Sequence, residues 1–516
     1  MAQRASRNVL LITADQWRGD SLSCLGHPCV KTPNLDALAA ESVLFRHHYS
    51  VCAPCGPARA SLLTGMYLQN HRSVRNGTPL DARHGNLALE LREVGYDPVL
   101  FGYTDTSLDP RTHDPEEVTR HGYENVLPGF RPEILLPESN PEPWYDFLEA
   151  NGYELPAQRY EIFDPVPDYP GANERGRTFA PPPYAAEHSQ TAFLTQGVLD
   201  YLSRQSEGWF IHLSYLRPHP PFCAPEPYNS LYDPEAVPPP RRAATIAEQA
   251  AQHPWLAAAL TAQGDWFDPW LRPIREGADY DRDVRQVRAT YYGLISKVDH
   301  YLGVLIAALK ESGAYDDTLI VFTSDHGELL GDRWLFGKRG YFDAAYHIPL
   351  MIRDPDAAAD GTRGRQLDIF TESVDIKPTV LEWLDRDAPR QCDGASLLPF
   401  CHGRSPAGWR DEVHWEYDFR EVDDPSLEHA LEIPMDHCAL NVIRDRRFKY
   451  VHFAALPPLL FDLENDPDES RNLAEDPAYA PQRMEMMGRL LSWRMANDER
   501  ILTGLKVTKD GVQERR

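Results

Sequence analysis

The fold is decided near the N-terminus, by a stretch that reads NVLLITADQ over residues 8–16. Residues 8–13 form a continuous apolar run, which is typical of a parallel strand buried on both faces of a sheet. The run ends at Asp15, and Gln16 follows it. Three later runs have the same form and are also followed by polar side chains, at residues 98–103, 209–214 and 319–324. These four runs predict four strands of one large sheet.

A long helix is predicted between the last two of these strands. Apolar residues recur at spacings of three and four over residues 284–309, and Gly313 provides a stop. Strands that alternate with helices indicate an α/β fold with an open, doubly wound sheet, whose ligands bind beyond the carboxyl ends of the strands. We therefore expect the functional site among the polar residues that follow the strands, which are Asp15, Asp105, His219, Asp325 and His326.

The length of the chain predicts two domains. It has 516 residues, whereas a single hydrophobic core stops growing at about 250–300 residues. We expect a catalytic α/β domain over residues 1–390 and a small C-terminal domain over residues 391–516. Beyond residue 390 the pattern changes to short strand-like segments and a closing helix, at 412–417, 439–444, 448–453 and 483–496. This pattern is typical of a small antiparallel sheet with a helix.

Two segments of the larger predicted domain, residues 104–190 and 219–280, lack clear periodicity. Both are rich in Pro, Asp, Glu and Trp. We interpret them as insertions that shape a substrate entrance or subunit contacts.

Composition excludes several classes of protein. A formal net charge of −26, with no basic tract to offset it, works against binding to nucleic acid or anionic membranes. The apolar run at the N-terminus is too short for a signal peptide, and no apolar stretch approaches the ~20 residues of a membrane span. We therefore expect a cytoplasmic protein whose eight cysteines are mostly free thiols.

The most specific motif is CGPARASLLTG, at residues 55–65. Residues 58–63 can begin a helix, so that Cys55 would lie where unpaired N–H groups and Arg59 attract the negative oxygens of a substrate. Cys52 begins a similar Cys-x-Pro sequence, but Gly56 stands where the motif places its arginine. Thiol phosphatases need a longer spacing than the three residues between Cys55 and Arg59. A buried structural thiol remains the alternative interpretation of Cys55.

A second group of residues could hold a divalent metal. Asp15 and Gln16 follow the first strand, and Asp325 and His326 follow a later one. Carboxylates, an amide oxygen and an imidazole that converge from two strand ends make a metal site with an open position for substrate. Taken alone, either aspartate would more often be a helix cap or a turn residue.

Residues 55–65 resemble the signature C-x-P-[SA]-R-x-x-x-L-[TS]-G of the sulfatase family, a branch of the alkaline phosphatase superfamily, at every fixed position. The resemblance implies an alkaline phosphatase-like fold, with a large doubly wound mixed sheet flanked by helices and a smaller C-terminal α+β domain. It also implies that a formylglycine-generating enzyme oxidises Cys55 to formylglycine, the nucleophile. The metal ligands that it implies are Asp15, Gln16, Asp325 and His326.

Other stretches resemble the phosphonate monoester hydrolase and phosphodiesterase subgroup of this family, from NVLLITADQWRGD at residues 8–20 to PLLFDLENDPDESRNLA at residues 458–474. Many sulfatases carry an all-oxygen ligand set suited to calcium. The imidazole of His326 departs from that pattern and favours manganese, followed by zinc, iron or calcium.

The same resemblance implies further site residues. Arg59, Lys338 and His219 would act in catalysis beside Cys55, whereas Asn76 and Tyr103 would bind the substrate. Asp105 stands where the subgroup is expected to have a hydroxyl residue. A carboxylate there would repel an anion, so either it turns away or the substrate preference has changed.

The function implied by the resemblance is metal-dependent hydrolysis of phosphonate monoesters and phosphate diesters, small anionic esters, with promiscuous hydrolysis of sulfate esters. A true arylsulfatase or alkylsulfatase would use the same machinery. A second alternative is a non-catalytic metal-binding protein with unmodified Cys55. The subgroup commonly forms homotetramers, and we expect the same here.

Overall fold

A nine-stranded sheet forms the centre of the computed structural model, which describes residues 7–176, 178–205, 208–266 and 279–515. The strands of the described chain are β1 (Asn8–Ala14), β2 (Val43–Tyr49), β3 (Cys52–Ala53), β4 (Pro98–Gly102), β5 (Arg131–Leu135), β6 (Phe210–Tyr215), β7 (Thr318–Thr323), β8 (His347–Ile348), β9 (Leu350–Arg353), β10 (Arg365–Glu372), β11 (Val413–Asp418), β12 (Ala439–Arg444), β13 (Phe448–Phe453), β14 (Leu459–Asp462), β15 (Leu505–Thr508) and β16 (Gly511–Glu514). The large sheet has the order β10-β2-β9-β7-β1-β6-β4-β5, and β8 pairs with β2. It is mixed, because β9 runs antiparallel to β7 and β2 whereas β1 is parallel to β6 and β7.

The four strands predicted from apolar runs are neighbours in the middle of this sheet, as β7, β1, β6 and β4. They are buried along their whole length, which explains their continuous apolar sequence. The strands at the two ends of the sheet, β5 and β10, are partly exposed and lack such runs. The predicted α/β fold is therefore confirmed, and the sheet is larger than the runs alone indicate.

Helices cover both faces of the sheet. The helices of the described chain are α1 (Pro33–Ala40), α2 (Cys55–Thr64), α3 (Leu68–His71), α4 (Leu87–Glu93), α5 (Pro115–Arg120), α6 (Glu142–Ala150), α7 (Ala172–Arg175), α8 (Gln190–Leu202), α9 (Ile246–Ala250), α10 (Pro254–Trp266), α11 (Tyr280–Ser312), α12 (Asp343–Tyr346), α13 (Ile376–Trp383), α14 (Leu398–Cys401), α15 (Ser426–Leu431) and α16 (Ala480–Ala496). Alternate residues of β1 belong to different cores: Leu10 and Ile12 join the core that contains α1, α8 and α11, whereas Val9 and Leu11 join the core that contains α2, α4 and α13. The long predicted helix is α11, which ends at Gly313 in the left-handed conformation.

The C-terminal part of the chain forms a second sheet from β11, β12, β13 and β14, all antiparallel, against which α16 packs. The predicted antiparallel sheet and closing helix are confirmed. The fifth strand of this sheet is β3, which pairs in parallel with β11 and lies directly before Cys55. Because a segment from the first part of the chain completes the second sheet, the boundary at residue 390 stays a prediction.

The eight cysteines of the chain are free thiols, and Cys52 and Cys55 are buried. Among the described helices, none combines the length and the apolar character that a membrane crossing requires.

Candidate active site

Residues from two strand ends and one helix start converge at one edge of the large sheet. β1 and β7 are parallel and in register, so Asp15 and Asp325 reach the same edge immediately beyond their strands. Ligand atoms from four buried residues lie within 4.8 Å of one another, and these residues are Asp15, Cys55, Asp325 and His326. The predicted nucleophile and three of the four predicted metal ligands are thus brought together.

Arg59 joins the two aspartates. Its Nη2 donates to Asp15 Oδ2 at 2.9 Å and its Nε donates to Asp325 Oδ2 at 3.0 Å. Its Nη1 donates to the Tyr103 carbonyl oxygen at 3.0 Å and to Ser214 Oγ at 2.7 Å. All four contacts hold the guanidinium below the cavity, where it balances the carboxylates. We call Asp15, Cys55, Arg59, Asp325 and His326 the floor of the site.

Tyr103 contacts two residues of the floor, Asp15 and Arg59. Its hydroxyl donates to Asp15 Oδ2 at 2.6 Å, and its ring centroid lies 4.2 Å from the Arg59 guanidinium carbon. The side chain is buried, with 2 % of its surface exposed. The structure therefore places Tyr103 against the floor, and its contact with substrate stays a prediction.

The helix α2 begins at Cys55, as the motif predicts. The backbone N–H of Gly56 donates to Asn76 Oδ1 at 2.9 Å, so Asn76 satisfies one of the free N–H groups at the helix start. A Cβ atom on Gly56 would lie 3.0 Å from the Asp105 carbonyl oxygen and 3.1 Å from Asn76 Oδ1. Glycine at this position lets both groups pack closely against the nucleophile.

The floor fits a divalent metal. Asp15 Oδ1 is buried and has no hydrogen-bond partner among the described residues. His326 Nδ1 contacts the Gly327 carbonyl oxygen at 3.0 Å, and because that oxygen only accepts, Nδ1 carries the hydrogen. The lone pair of Nε2 then faces Cys55 Sγ at 3.2 Å. Burial lowers the pKa of His326, so its ring is neutral, as metal binding requires.

Gln16, the fourth predicted ligand, lies at the same edge in the left-handed conformation, with φ 68°. Its amide oxygen accepts a hydrogen bond from Lys338 Nζ at 2.7 Å, and its amide nitrogen donates to Glu328. The amide oxygen is thus held by a cation, and its role as a metal ligand stays a prediction.

A cavity of 380 Å³ opens above the floor, within the size range of small-molecule sites. Six of the residues singled out from the sequence line it, namely Gln16, Cys55, Asn76, Asp105, His219 and Lys338. Burial acts to lower the pKa of Lys338, but Cys55, Asp15 and Asp325 raise it above its ordinary value, so the amine is a cation. The cavity therefore offers positive charge directly beside the nucleophile position.

His219 is held by its own loop. Its Nδ1 donates to the Pro220 carbonyl oxygen at 2.8 Å, which leaves Nε2 as an acceptor in the neutral ring. Burial, together with Lys338, lowers the pKa of His219 well below its ordinary value.

Asp105 does not turn away from the cavity. It is 6 % exposed, adopts a left-handed φ of 48° and lines the cavity. Its Oδ2 lies 3.8 Å from Arg59 Nε, and the carboxyl group makes no hydrogen bond among the described residues. Burial raises the pKa of Asp105 well above its ordinary value, although Arg59 opposes this. Of the two possibilities that the sequence left open, the structure does not show the first, and a change of substrate preference stays a prediction.

The outer walls of the cavity come from regions whose role the sequence did not reveal. Tyr123, Glu138 and Tyr160 belong to the segment 104–190, and Tyr417 and Glu421 belong to the C-terminal part. The segment 104–190 thus borders the cavity, in line with its interpretation as part of a substrate entrance. The second segment that we interpreted as an insertion is residues 219–280, and residues 267–278 of it lie outside the described residues.

One of these wall residues could have been found from the sequence. Glu138 follows β5 by three residues, at the same edge of the sheet as Asp15 and Asp325. The strand-end rule would have selected it if β5 had been recognised as a strand.

The fold and the site define a class of enzymes with a mixed α/β sheet, in which a nucleophile at a helix start faces metal-binding side chains at the carboxyl ends of parallel strands. The family model described as Sulfatase matches residues 7–386, and a model described as N-sulphoglucosamine sulphohydrolase, C-terminal, matches residues 331–496. The chain therefore belongs to the sulfatase family of the alkaline phosphatase superfamily. Membership of this family implies a divalent metal and a formylglycine formed from a cysteine.

Three similar proteins span nearly the whole chain. The Multifunctional alkaline phosphatase superfamily protein PehA of Trinickia caryophylli is 45% identical over 520 residues, which cover 99% of each chain. The crystal structure of a phosphonate monoester hydrolase of Agrobacterium radiobacter matches with a TM-score of 0.91 and 46% identity, covering 99% of this chain and 100% of that chain. A phosphonate monoester hydrolase from Silicibacter pomeroyi matches with a TM-score of 0.92 and 41% identity, covering 99% of both.

Proposed function

We propose that the protein hydrolyses phosphonate monoesters and phosphate diesters, with promiscuous hydrolysis of sulfate esters, through a formylglycine formed from Cys55. The observation that carries this proposal is the cluster in which Cys55 lies within 4.8 Å of the metal-binding atoms, beneath a cavity of 380 Å³. The two similar phosphonate monoester hydrolases support this substrate class.

The chain's own residues bind the ester and move a proton. The start of α2 and the Lys338 cation offer N–H groups and positive charge beside position 55, where the non-bridging oxygens of the ester bind. Arg59 keeps Asp15 and Asp325 fixed and charge-balanced. The Lys338 amine carries hydrogens into the cavity and is the first choice to protonate the leaving oxygen. His219 could do so only from a protonated Nε2, since its Nδ1 hydrogen is held by Pro220.

A divalent metal held by Asp15, Gln16, Asp325 and His326 would supply positive charge that favours the ionised form of a nucleophilic hydroxyl and of the substrate oxygens. We propose manganese as the native ion, followed by zinc, iron or calcium, because an imidazole among oxygen ligands suits the transition metals. Elemental analysis of the purified protein tests the assignment, with Asp325→Asn as the variant expected to lose the ion. Absence of any bound divalent metal, or equal metal content in the variant, would contradict the metal site, whereas zinc, iron or calcium as the only bound ion would replace manganese in the assignment.

Intact mass tests the modification of Cys55. Formylglycine lowers the mass by about 18 Da relative to the unmodified sequence, through loss of SH₂ and gain of oxygen. The Cys55→Ala variant cannot show this change and serves as the control. An unmodified mass without turnover would support the non-catalytic metal-binding alternative.

A panel of substrates tests the reaction class. Phosphonate monoesters, phosphate diesters, phosphate monoesters and sulfate esters are compared with 4-nitrophenol as the common leaving group. We expect turnover of several classes, with the highest kcat/KM for phosphonate monoesters and phosphate diesters. The highest kcat/KM on sulfate esters would identify a true arylsulfatase or alkylsulfatase, and activity on phosphate monoesters alone would overturn the proposal.

We further propose a cytoplasmic homotetramer that is matured by a formylglycine-generating enzyme. Exposed apolar side chains near the C-terminus support self-association, since Val507 and Val512 of the β15–β16 hairpin are 82% and 64% exposed. Light scattering of the wild type and of Val507→Asp tests this. A tetramer that dissociates in the variant is expected, with Lys509→Asp in the adjacent turn as the control, and a monomeric wild type would contradict the proposal.

A further inference from the structure

The lining of the cavity above the floor carries charges of both signs. Arg75, Lys338 and Arg339 line it, as expected for a site that binds an anion. The lining also includes two carboxyl groups and two phenol rings from the segment 104–190. We call Asp105, Tyr123, Glu138 and Tyr160 the acidic wall. Carboxyl groups in a cavity for an anionic ester need an explanation, because they repel the negative charge that the floor attracts.

Glu138 lacks a permanent cationic partner. No lysine or arginine of the described chain forms an ion pair with it, and its one ionic contact there is to His219 Nδ1 at 3.5 Å. That imidazole is neutral and already donates its Nδ1 hydrogen to Pro220, so it offers Glu138 no positive charge. Burial raises the pKa of Glu138 to about 7, Lys338 lowers it, and Asp15 and Glu124 raise it further. The ionised carboxylate is therefore not neutralised by an ion pair with a lysine or arginine among the described residues.

Asp105 lies deeper, and its one ion pair among the described residues is long. Its side chain is 5% exposed, and its nearest cation is Arg59 at 3.8 Å, beyond hydrogen-bonding distance. Arg59 cannot turn toward it, because the guanidinium already donates to both floor aspartates, to a carbonyl and to a hydroxyl. A nearly buried carboxyl group that faces a cavity without a hydrogen bond is unfavourable unless a ligand compensates it.

Aromatic rings stand beside these carboxyl groups. Tyr123 lines the cavity close enough to Glu138 and Asp105 for both to raise its pKa, although burial contributes most. Tyr160 borders the same cavity. The faces of phenol rings attract cations, and proteins use aromatic side chains to recognise quaternary ammonium groups.

We propose that the acidic wall binds a cationic group, of the substituted ammonium class, on the alcohol portion of the ester. Glu138 contacts His219 and lines the same cavity as Lys338, and these are the two candidate acids for the leaving alcohol, so the wall lies near the place from which that alcohol departs. The substrate would then be a zwitterion, with its anionic centre over the floor and its cation against the wall. This inference rests on the proposed function for the identity of the anionic centre, but the wall itself can be tested by binding alone.

Two matched esters test the proposal. The methylphosphonate monoesters of choline and of 3,3-dimethylbutanol have the same shape, and only the first carries a positive charge. We expect Glu138→Gln to lower the ratio of their kcat/KM values by roughly tenfold, the size of one partly screened charge interaction. Any intrinsic difference in reactivity between the esters cancels, because the wild type and the variant are compared with the same pair. Glu149→Gln on the exposed face of α6 removes the same charge outside the cavity and should leave the ratio unchanged.

Binding without turnover provides the second measurement. Calorimetric titration with choline and with 3,3-dimethylbutanol should show tighter binding of choline to the wild type, and this preference should fall in Glu138→Gln and in Asp105→Asn. Thermal unfolding of each variant verifies that it is folded. Equal binding of the two alcohols, or a preference that survives both substitutions, would overturn the acidic wall as a cation site.

The two measurements separate the inference from the proposed function. Turnover of both esters at a ratio that Glu138→Gln does not change would overturn the cation site and leave the hydrolase in place. Choline binding that depends on Glu138, without turnover of either ester, would retain the cation site and overturn the reaction. Neither turnover nor a binding preference would overturn both.

Discussion

The floor of the site and its acidic wall are both rich in carboxyl groups, but they differ in what holds them. In the floor, Asp15 and Asp325 are fully buried and are joined by Arg59 through hydrogen bonds of 2.9 and 3.0 Å. In the wall, Glu138 has a side chain that is 28% exposed and has no lysine or arginine partner among the described residues. Groups with several fixed partners are preorganised for chemistry, whereas groups without partners are free to meet a ligand. The floor should therefore set the rate for every substrate, and the wall should set the choice among substrates.

The largest effect is expected for Cys55→Ala in the floor. Loss of the nucleophile should lower kcat/KM for every ester by at least about 10³-fold, and by the same factor for each substrate class. Steady-state kinetics on the substrate panel measures it. Cys52→Ala is the matched control, because Cys52 is buried three residues away and its Sγ contacts Ser61 Oγ at 3.3 Å, outside the floor. Equal losses in the two variants would show that the chemistry does not depend on Cys55 in particular.

Removal of the metal should come next in size. Chelation is expected to lower kcat by at least about 10²-fold for all substrates, and added manganese should restore it. The apparent Tm should also fall, since a ligand at 100 times its Kd stabilises the native state by about 2.7 kcal/mol. Calorimetry with and without chelator measures this shift in Tm. The shift should be absent in Asp325→Asn and should remain in Asp105→Asn, which lies in the wall. A chelator that altered substrate preference without altering Tm would contradict the division between floor and wall.

The wall should show its own pH dependence. The charged or titratable groups around Glu138 are Lys338, Asp15, Glu124, Arg217, His219, Asp105 and Tyr123. Because the pKa of Glu138 is raised to about 7, its negative charge is lost as the pH falls below that value. The kcat/KM ratio of the choline ester to its neutral isostere should fall by about tenfold in total as the pH decreases through this value, and it should level off on either side of it. Rate measurements from pH 5.5 to about 9 test this. Glu138→Gln should give a flat ratio, and a wild-type ratio that does not change with pH would contradict the role of this carboxylate.

The smallest effect is expected for the cap of the nucleophile helix. Asn76→Ala removes the acceptor of the Gly56 N–H and should cost about 1 kcal/mol of stability. It should also lower kcat several-fold, because the helix start that carries Cys55 is less firmly held. Asn86→Ala is the control, since Asn86 Oδ1 also accepts from a backbone N–H at a helix start, that of Leu89 in α4 at 3.1 Å, away from the site. Denaturation and kinetics should show similar losses of stability but a loss of kcat in Asn76→Ala alone. Similar kcat losses in both variants would contradict this.

Much of the floor could be predicted because its residues are tied to strong local patterns. Asp15 and Asp325 follow fully buried strands, and a strand buried on both faces has an unmistakably apolar sequence. Cys55 and Arg59 share one helical turn in an eleven-residue motif. The same reasoning gave α11, whose apolar spacing continues until Gly313.

The wall could not be predicted because it depends on packing between distant segments. Glu138 follows β5, a partly exposed strand at the end of the sheet whose sequence lacks a clear apolar run. Tyr417 reaches the cavity because β11 pairs with β3, a contact between positions far apart in sequence. The supporting roles of Asn76 and Tyr103 were also hidden, since both depend on contacts with groups that the sequence does not place nearby.

The pairing of β3 with β11 has a consequence for how the protein is made. Cys52 and Ala53 leave the ribosome early, but their hydrogen-bonding partners Glu416 and Tyr417 belong to the last part of the chain. The two strands are separated by about 360 residues, which take roughly 20–70 s to translate at about 5–20 residues per second. The segment directly before the nucleophile cannot pair with β11 until that time has passed. A nascent chain that stops short of β11 therefore leaves position 55 without its finished surroundings, and catalytic competence arrives only when synthesis is nearly complete.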